Sequence, residues 1–307
     1  MNTLLLTVQI LNGLQLGVIL FLVAAGLTLV FGVMDFINLA HGVQYMLGAY
    51  LAASLIAATG SFPLGLALGL LASLLAGLVL EVAIFRHLYT QDHLEQVLAT
   101  FGVILALTEA IKWAFGAAPI AMPIPETFSG SVAIMPGLLY PVWRLVIIAS
   151  GIGVALLLWA LVTRTRAGML VRAGSTHAPM VSALGVDIGR LFMVVFAFGA
   201  MLAGFAGAMA APILSVEPTM GDGILILAFV VIVIGGIGSI KGAFIAALMV
   251  GLIDTLGRAF ARDLLALVMS KSAAAQAGPA IASMLTYMLM AVVLTVRPRG
   301  LFPATRG

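Results

Sequence analysis

The chain has 307 residues, of which 63% are hydrophobic and 8% charged, with a net charge of +3 and a mean hydropathy of +1.25. Soluble domains use about 45–50% apolar and about 25% charged residues, so a water-soluble globule is excluded. The absence of cysteine excludes a disulfide framework, thiol catalysis and a Cys-based metal site, and basic residues spread over short loops read as a topology signal, with no nucleic-acid partner implied.

At roughly 20 residues per spanning helix, this length holds about eight to ten crossings in one domain. Long runs without dyad alternation exclude a β-barrel. The expected fold is therefore all-α: a polytopic helical membrane protein with about nine transmembrane or re-entrant helices, forming a single domain over residues 1–307. The apolar stretches are 7–33, 43–58, 64–85, 97–115, 143–162, 191–211, 223–237, 243–256 and 280–296. A tenth candidate, 264–269, is too short to span. Several stretches are short and rich in Gly, which points to re-entrant or broken segments. The first run lacks a basic flank and is too long for the apolar region of a signal peptide, so it reads as a membrane helix.

Within that helix, Gln9, Asn12 and Gln15 recur every three residues. Amides in hydrocarbon need partners, and hydrogen bonds between helices are worth about 0.6–2 kcal/mol there. Packing glue and cavity lining are both compatible with the pattern. The next segment holds Asp35, Asn38 and His41 at the same spacing, bracketed by Gly32 and Gly42, which on a helix places the three on one flank. One reading is a broken helix lining a path, with freed backbone groups facing a zwitterionic solute. The other is a polar turn at the membrane surface with His41 capping a helix end. No partner lies at ligand spacing to make His41 a metal site.

Glu81 stands alone near a helix end, within reach of Arg86 or water. Glu109 and Lys112, and Asp254 and Arg258, are spaced to pair along helices; an unpaired charge at mid-bilayer costs about 2.5–3.5 kcal/mol on insertion scales, so pairing near helix ends is expected. Residues 116–141, with Pro119, Pro123, Pro125, Pro136 and Pro141, form a loop without regular helix. It serves as a connector or as a contact for an external partner.

Residues 163–190 are the only long polar, basic segment. Ser175 and Thr176 are N-cap candidates, Pro179 suits a first turn, Met180 to Leu184 are compatible with helix, and Gly185 suits the position after a helix end. A short capped helix is expected there, flanked by Arg172 and Arg190. Solvated orientation signals would account for the arginines. Exposed Met180, Val181 and Leu184 would instead form a knob presented to a groove. Further on, Gly235, Gly236, Gly238, Ser239 and Gly242 interrupt the apolar pattern; this is a tight helix reversal or a hinge at the path, and it lacks the Gly-Lys-Ser/Thr ending of a phosphate loop.

If residues 163–190 are cytoplasmic, alternation places Arg86, Arg164, Arg166, Arg172, Arg190, Lys241, Arg297, Arg299 and Arg306 on that side. Lys112, Arg144, Arg258, Arg262 and Lys271 fall on the other. The excess supports this orientation, with the N-terminus outside and the C-terminus inside. No nucleophile elbow, zinc motif or paired catalytic carboxylates appear, so an enzyme is disfavoured.

The segment 163–187 resembles the cytoplasmic coupling segment of permeases of ATP-binding-cassette importers, specifically the branched-chain amino-acid permease family of the LivH type. Asn12-Gly-Leu-Gln-Leu-Gly17, Ala25-Gly-Leu-Thr-Leu-Val-Phe-Gly32, Asn38-Leu-Ala-His-Gly42, Tyr45-Met-Leu-Gly-Ala-Tyr50 and Gly235-Gly-Ile-Gly-Ser239 resemble that family in the same order, nearly end to end. Arg172-Ala and Leu184-Gly-Val-Asp in the loop add to its specificity. Where the family often has Glu after His-Gly, this chain has Val43, so an acid cannot act there.

The resemblance implies a permease domain over 1–307 in a bacterial inner membrane, with the N-terminus periplasmic, the C-terminus cytoplasmic and a coupling loop at 163–190. It implies membrane lipid around the chain, and a second related permease, two cytoplasmic ATPases carrying ATP and magnesium, and a periplasmic solute-binding protein as partners, with no cofactor on this chain. The implied cargo is a branched-chain amino acid or a related small amino acid or amide. Expected path residues are Asn12, Gln15, Asn38, His41, Gly42, Gly235, Gly236, Gly238 and Ser239; expected coupling residues are Arg172, Pro179, Met180, Leu184 and Gly185. The competing classes are an ion-coupled secondary transporter and a non-transporting scaffold. A proton-coupled carrier should show intramembrane carboxylates placed as relays, whereas those here have basic neighbours or sit near an interface.

Overall fold

The computed structural model describes residues 3–302; Arg306, counted above among the basic tail residues, lies outside them. The described residues form helices α1 (Thr3–Met34), α2 (His41–Thr59), α3 (Phe62–Ala83), α4 (His93–Phe115), α5 (Val142–Arg164), α6 (Arg166–Ala183), α7 (Ile188–Leu214), α8 (Met220–Gly235), α9 (Ile240–Leu265) and α10 (Lys271–Val296). A hairpin of β1 (Ser131–Met135) and β2 (Leu138–Pro141) lies between α4 and α5. Eight helices are long and apolar enough to cross a membrane, and α8 is a shorter apolar helix. The protein is thus a multi-span helical membrane protein, and the hydropathic expectation of about nine segments holds.

Side-chain size, more than polarity, decides what faces inward. On α3, Leu64, Leu68, Leu71, Leu75 and Val79 form an exposed stripe, while Gly65, Gly69, Ser73 and Gly77 are buried. Lipid is as apolar as leucine, so large side chains gain little by burial and small ones let backbones approach. Gly69 lies on Ala52 of α2, closing the α2–α3 hairpin that turns at Gly60 (φ +63°).

From Gly17 to Val30 helix α1 is apolar on every side but for Thr28, and each of these residues is buried. A helix without a polar face belongs in the interior, and α1 packs against α9, α7, α8 and α5. Gly13 and Gly17 meet α9 at Leu252 and Leu248, where a Cβ would stand 2.9 Å from each Cα. The order of these contacts makes the pair antiparallel.

The two largest departures from the hydropathic boundaries are in α10 and α9. Helix α10 starts at Lys271, capped by Ser270, whose side chain accepts from Ala273 N; Pro279, placed before the apolar run, is inside it. Proline in a membrane helix removes one backbone donor without ending the helix when neighbours re-satisfy the rest. Helix α9 continues to Leu265 because its last turns are polar on one side yet keep helical spacing. Glu81, as the spacing suggests, receives Arg86 Nη2 at 3.3 Å and Tyr89 Oη at 3.3 Å. Lys112–Glu109 at 2.7 Å and Arg258–Asp254 at 2.8 Å also form.

Candidate functional site

Helix α1 stops at Met34, Asp35 takes a left-handed conformation (φ +53°), and residues 35–40 are non-helical. Phe36 packs on Phe85 and Tyr89, and Ile37 N donates to Gln96 Oε1 at 3.1 Å. Burial and the nearby Glu81 carboxylate push the Tyr89 hydroxyl above its usual pKa, so it stays a donor. The chain then turns back into the bundle and begins α2 at His41. His41 is fully buried, with Nε2 3.0 Å from Val23 O. Val23 lies eleven residues before the end of α1, which is about 16 Å along the axis. Helix α2 therefore starts deep within the bundle, and its N-terminal amides, with no side-chain cap from Ala40, bring a partial positive charge there.

The ring of His41 fits because Gly26 has no side chain; a Cβ there would stand 2.9 Å from Cε1 and Nε2. A carbonyl only accepts, so Nε2 carries the hydrogen. With a neutral ring, Nδ1 must accept, and Gln44, whose Oε1 is placed 3.0 Å away, satisfies it when its amide is turned. That turn also gives Gln44 Nε2 the partner it otherwise lacks. Both amide atoms of buried Asn38 and the hydroxyl of Thr28 have no partner within the described residues.

The expected common flank of Asp35, Asn38 and His41 does not exist. Asp35 is exposed and the other two are buried, because helical spacing loses meaning once the helix has ended at Met34.

Asn12 and Gln15 occupy a second place, at the end of the bundle that carries the β-hairpin. Arg144 Nη1, on the first turn of α5, donates to Asn12 Oδ1 at 2.6 Å and Gln15 Oε1 at 3.2 Å, and Tyr140 Oη donates to Asn12 at 3.0 Å. Burial raises the pKa of Tyr140 against the opposing effect of Arg144. Asn12, Gln15 and Arg144, with Gln9, Asp254, Thr255 and Arg258, line a basin of about 470 Å³. Asp254 is bound through both oxygens by Arg258 at 2.8 and 2.9 Å. Arg144 has only neutral oxygens as partners within the described residues, so the basin carries a net positive charge suited to a carboxylate.

The α8–α9 break is a tight reversal: α8 ends at Gly235, Gly236 (φ +102°) and Gly238 (φ +80°) turn the chain, and Ser239 Oγ accepts from Gly242 N at 3.0 Å. It meets the first break. A Cβ on Gly32 would stand 2.7 Å from Gly238 Cα, and one on Gly42 would stand 2.6 Å from Gly221 O, so the residues flanking the first break grip both ends of α8.

The segment expected to couple to a partner differs in part from its expectation. Helix α6 runs from Arg166, capped by Thr165, and is interrupted at His177 (φ −152°, ψ 73°) before Pro179. Ser175 and Thr176 do not cap it; their hydroxyls donate back to Arg172 O, because a helix already precedes them. Gly185 (φ +86°) does end the helix, with Val186 N donating to Val181 O at 3.3 Å. Met180 and Leu184 are exposed, whereas Val181 is buried and leaves the proposed knob.

The expected path residues thus fall in three places: the basin, the start of α2 and the α8–α9 turn. Sequence reasoning missed Arg144 as a basin residue, Tyr140 as a partner of Asn12 behind it and Gln44 as the partner of His41. The available signal for Arg144 was a cation at the edge of an apolar run.

A family model described as branched-chain amino acid transport system / permease component matches residues 9–294. The chain is 30% identical over 265 residues to the high-affinity branched-chain amino acid transport system permease protein BraD of Pseudomonas aeruginosa, covering 81% of this chain and 85% of that one. It is 28% identical over 272 residues to the permease protein LivH of Escherichia coli (82% and 86%). It is likewise 28% identical over 247 residues to a probable LivH of Methanocaldococcus jannaschii (78% and 76%). No solved structure matches.

Proposed function

The chain belongs to the branched-chain amino acid transport permease family, and from that premise we propose that it forms one half of the translocation path of an ATP-driven importer for branched-chain amino acids or related small amino acids and amides. The observation that carries the path assignment is the start of α2 deep inside the bundle, with Asn38 buried beside it and its amide free. A half-helix N-terminus and an unpartnered amide at that depth are groups a zwitterion can exchange for its hydration shell.

In this reading the solute enters at the Arg144 basin, handed over by a periplasmic solute-binding protein, and passes between this chain and a second related permease. Two cytoplasmic ATPases holding ATP and magnesium seat the Met180 to Gly185 end of α6 in a groove, and their closure moves the α8–α9 turn against α1 through Gly238 and Gly32. Arg172 and Pro179 set the direction of α6 at that contact. The protein then lies in a bacterial inner membrane with its N-terminus periplasmic and its C-terminus cytoplasmic, which the excess of basic residues on the α6 side supports.

The test is uptake of radiolabelled leucine by proteoliposomes holding the co-purified complex. Replacing Asn38 and His41 together by alanine is expected to abolish ATP-driven uptake while ATPase subunits still co-purify. Unchanged uptake would assign both residues to packing. Uptake that persists without ATP while a membrane potential is kept would favour an ion-coupled carrier.

A further inference from the structure

At the α6 end, a cavity of about 640 Å³ opens between α1, α5, α6 and α9. Its wall is apolar, made by Phe21, Ile152, Ala155, Leu156, Trp159 and Phe244, and its rim is polar and basic, with Arg172, Lys241 and Ser239. No acidic side chain lines it, and neither cation has a carboxylate partner among the described residues. A third cation, Arg164, lies over the Trp159 ring at 5.4 Å. Ser239 accepts from Gly242 N and so keeps its own O–H to donate.

An aqueous solute would leave this wall unsatisfied, and a purely apolar partner would leave the cations desolvated. Ile152, Leu156 and Trp159 are about half exposed, so the wall is continuous with the side of the bundle that faces lipid tails. Basic pockets between membrane helices at an interface select anionic head groups. We propose that this cavity is a binding site for one anionic phospholipid, its acyl chain along the α5 wall and its phosphate held by Arg172, Lys241 and the Ser239 hydroxyl. A second permease helix fits less well, because it would have to bury two cations that no carboxylate neutralises, Lys241 having only the Phe302 ring 5.1 Å away. The bound phosphate would tie α6 to the first turn of α9, making the geometry of the coupling segment depend on the lipid.

Native mass spectrometry of the full chain, released from detergent after incubation with equimolar dioleoylphosphatidylglycerol and dioleoylphosphatidylcholine, reads the site directly. The anionic phosphatidylglycerol is expected to be retained preferentially. Arg172→Gln and Lys241→Gln should each weaken its retention about fivefold, the equivalent of about 1 kcal/mol per basic residue at a charged interface. Ala155→Trp, which fills the wall without changing charge, should reduce retention of both lipids, and Lys271→Gln, at the other end of the bundle, should change neither. Three results overturn the proposal: equal retention of the two lipids, retention unaffected by the double glutamine variant, or equal competition by glycerophosphoglycerol, which would make the site a plain anion site. Cross-linking of a Leu156→Cys variant to the second permease in native membranes would overturn it too, by making the cavity a seam between chains.

Discussion

Gly26 is the position where the largest consequence hangs on the smallest change. In Gly26→Ala the added methyl would stand 2.6 Å from Gly199 O on α7, against 3.4 Å for ordinary contact, a shortfall of 0.8 Å, and 2.9 Å from two atoms of the His41 ring. The carbonyl belongs to a buried helix and cannot rotate away. Either α1 and α7 separate, or the imidazole moves and Nε2 loses Val23 O. Overpacking a tight contact costs about 1–3 kcal/mol, and stranding a buried donor about 1–3 kcal/mol more, so a loss of roughly 1–3 kcal/mol is expected if the helices part and roughly 2–6 kcal/mol if the ring is displaced. Thermal unfolding of the purified chain in one detergent measures it, with Gly102→Ala as the comparison. Gly102 has nothing within 4 Å of its would-be Cβ, and alanine there should be neutral or favour the helix by up to about 1 kcal/mol. A Gly26→Ala variant as stable as Gly102→Ala would refute the seating of His41 against α1, and with it the deep start of α2.

Three other outcomes follow from the same contacts. Arg144→Met leaves the oxygens of Asn12 and Gln15 without their shared donor; losing one charge-assisted contact of about 1.5 kcal/mol should lower the maximal uptake rate about tenfold, and an unaltered rate in proteoliposomes would remove the basin from the path. Gly185→Val forces a β-branched residue to φ +86°, a strain of about 1–2 kcal/mol, and should abolish uptake with normal membrane insertion; normal ATP-driven uptake would refute the coupling role. Arg258→Met strands the carboxylate of Asp254, 8% exposed, and should lower the melting temperature, while adding Asp254→Asn should restore part of it; a double variant no more stable than Arg258→Met would show that the pair is not what matters there.

Hydropathy made the spanning helices legible because each run is long and apolar, and Gly235, Gly236 and Gly238 marked the second break because no continuous helix favours that density of glycine. The first break was visible as polar residues between glycines, but its geometry was not. A three-residue spacing carries meaning only inside a helix, and nothing local to Met34 announces that α1 ends there. The partner of His41 lies eighteen residues back at Val23, and a backbone carbonyl has no sequence signature at all. The same blindness hid the basin: Arg144 reads as an orientation charge until α5 is laid beside α1 and brings it onto Asn12 and Gln15.

The ends of α6 show where local reading succeeds and where it stops. Gly185 could be placed because a left-handed residue after a helix is a property of four or five neighbours. Ser175 and Thr176 could not, since whether a hydroxyl caps a new helix or bonds back within an old one depends on what precedes it, and α6 had already begun at Arg166. Burial of Val181 has the same cause: once α6 is a longer helix bent at His177, the face carrying Val181 turns inward and only Met180 and Leu184 remain outside. The surface proposed to meet a partner is therefore narrower than the sequence implies, two apolar side chains on one short turn, and its direction is set by the bend at His177 and Pro179 more than by the arginines around it.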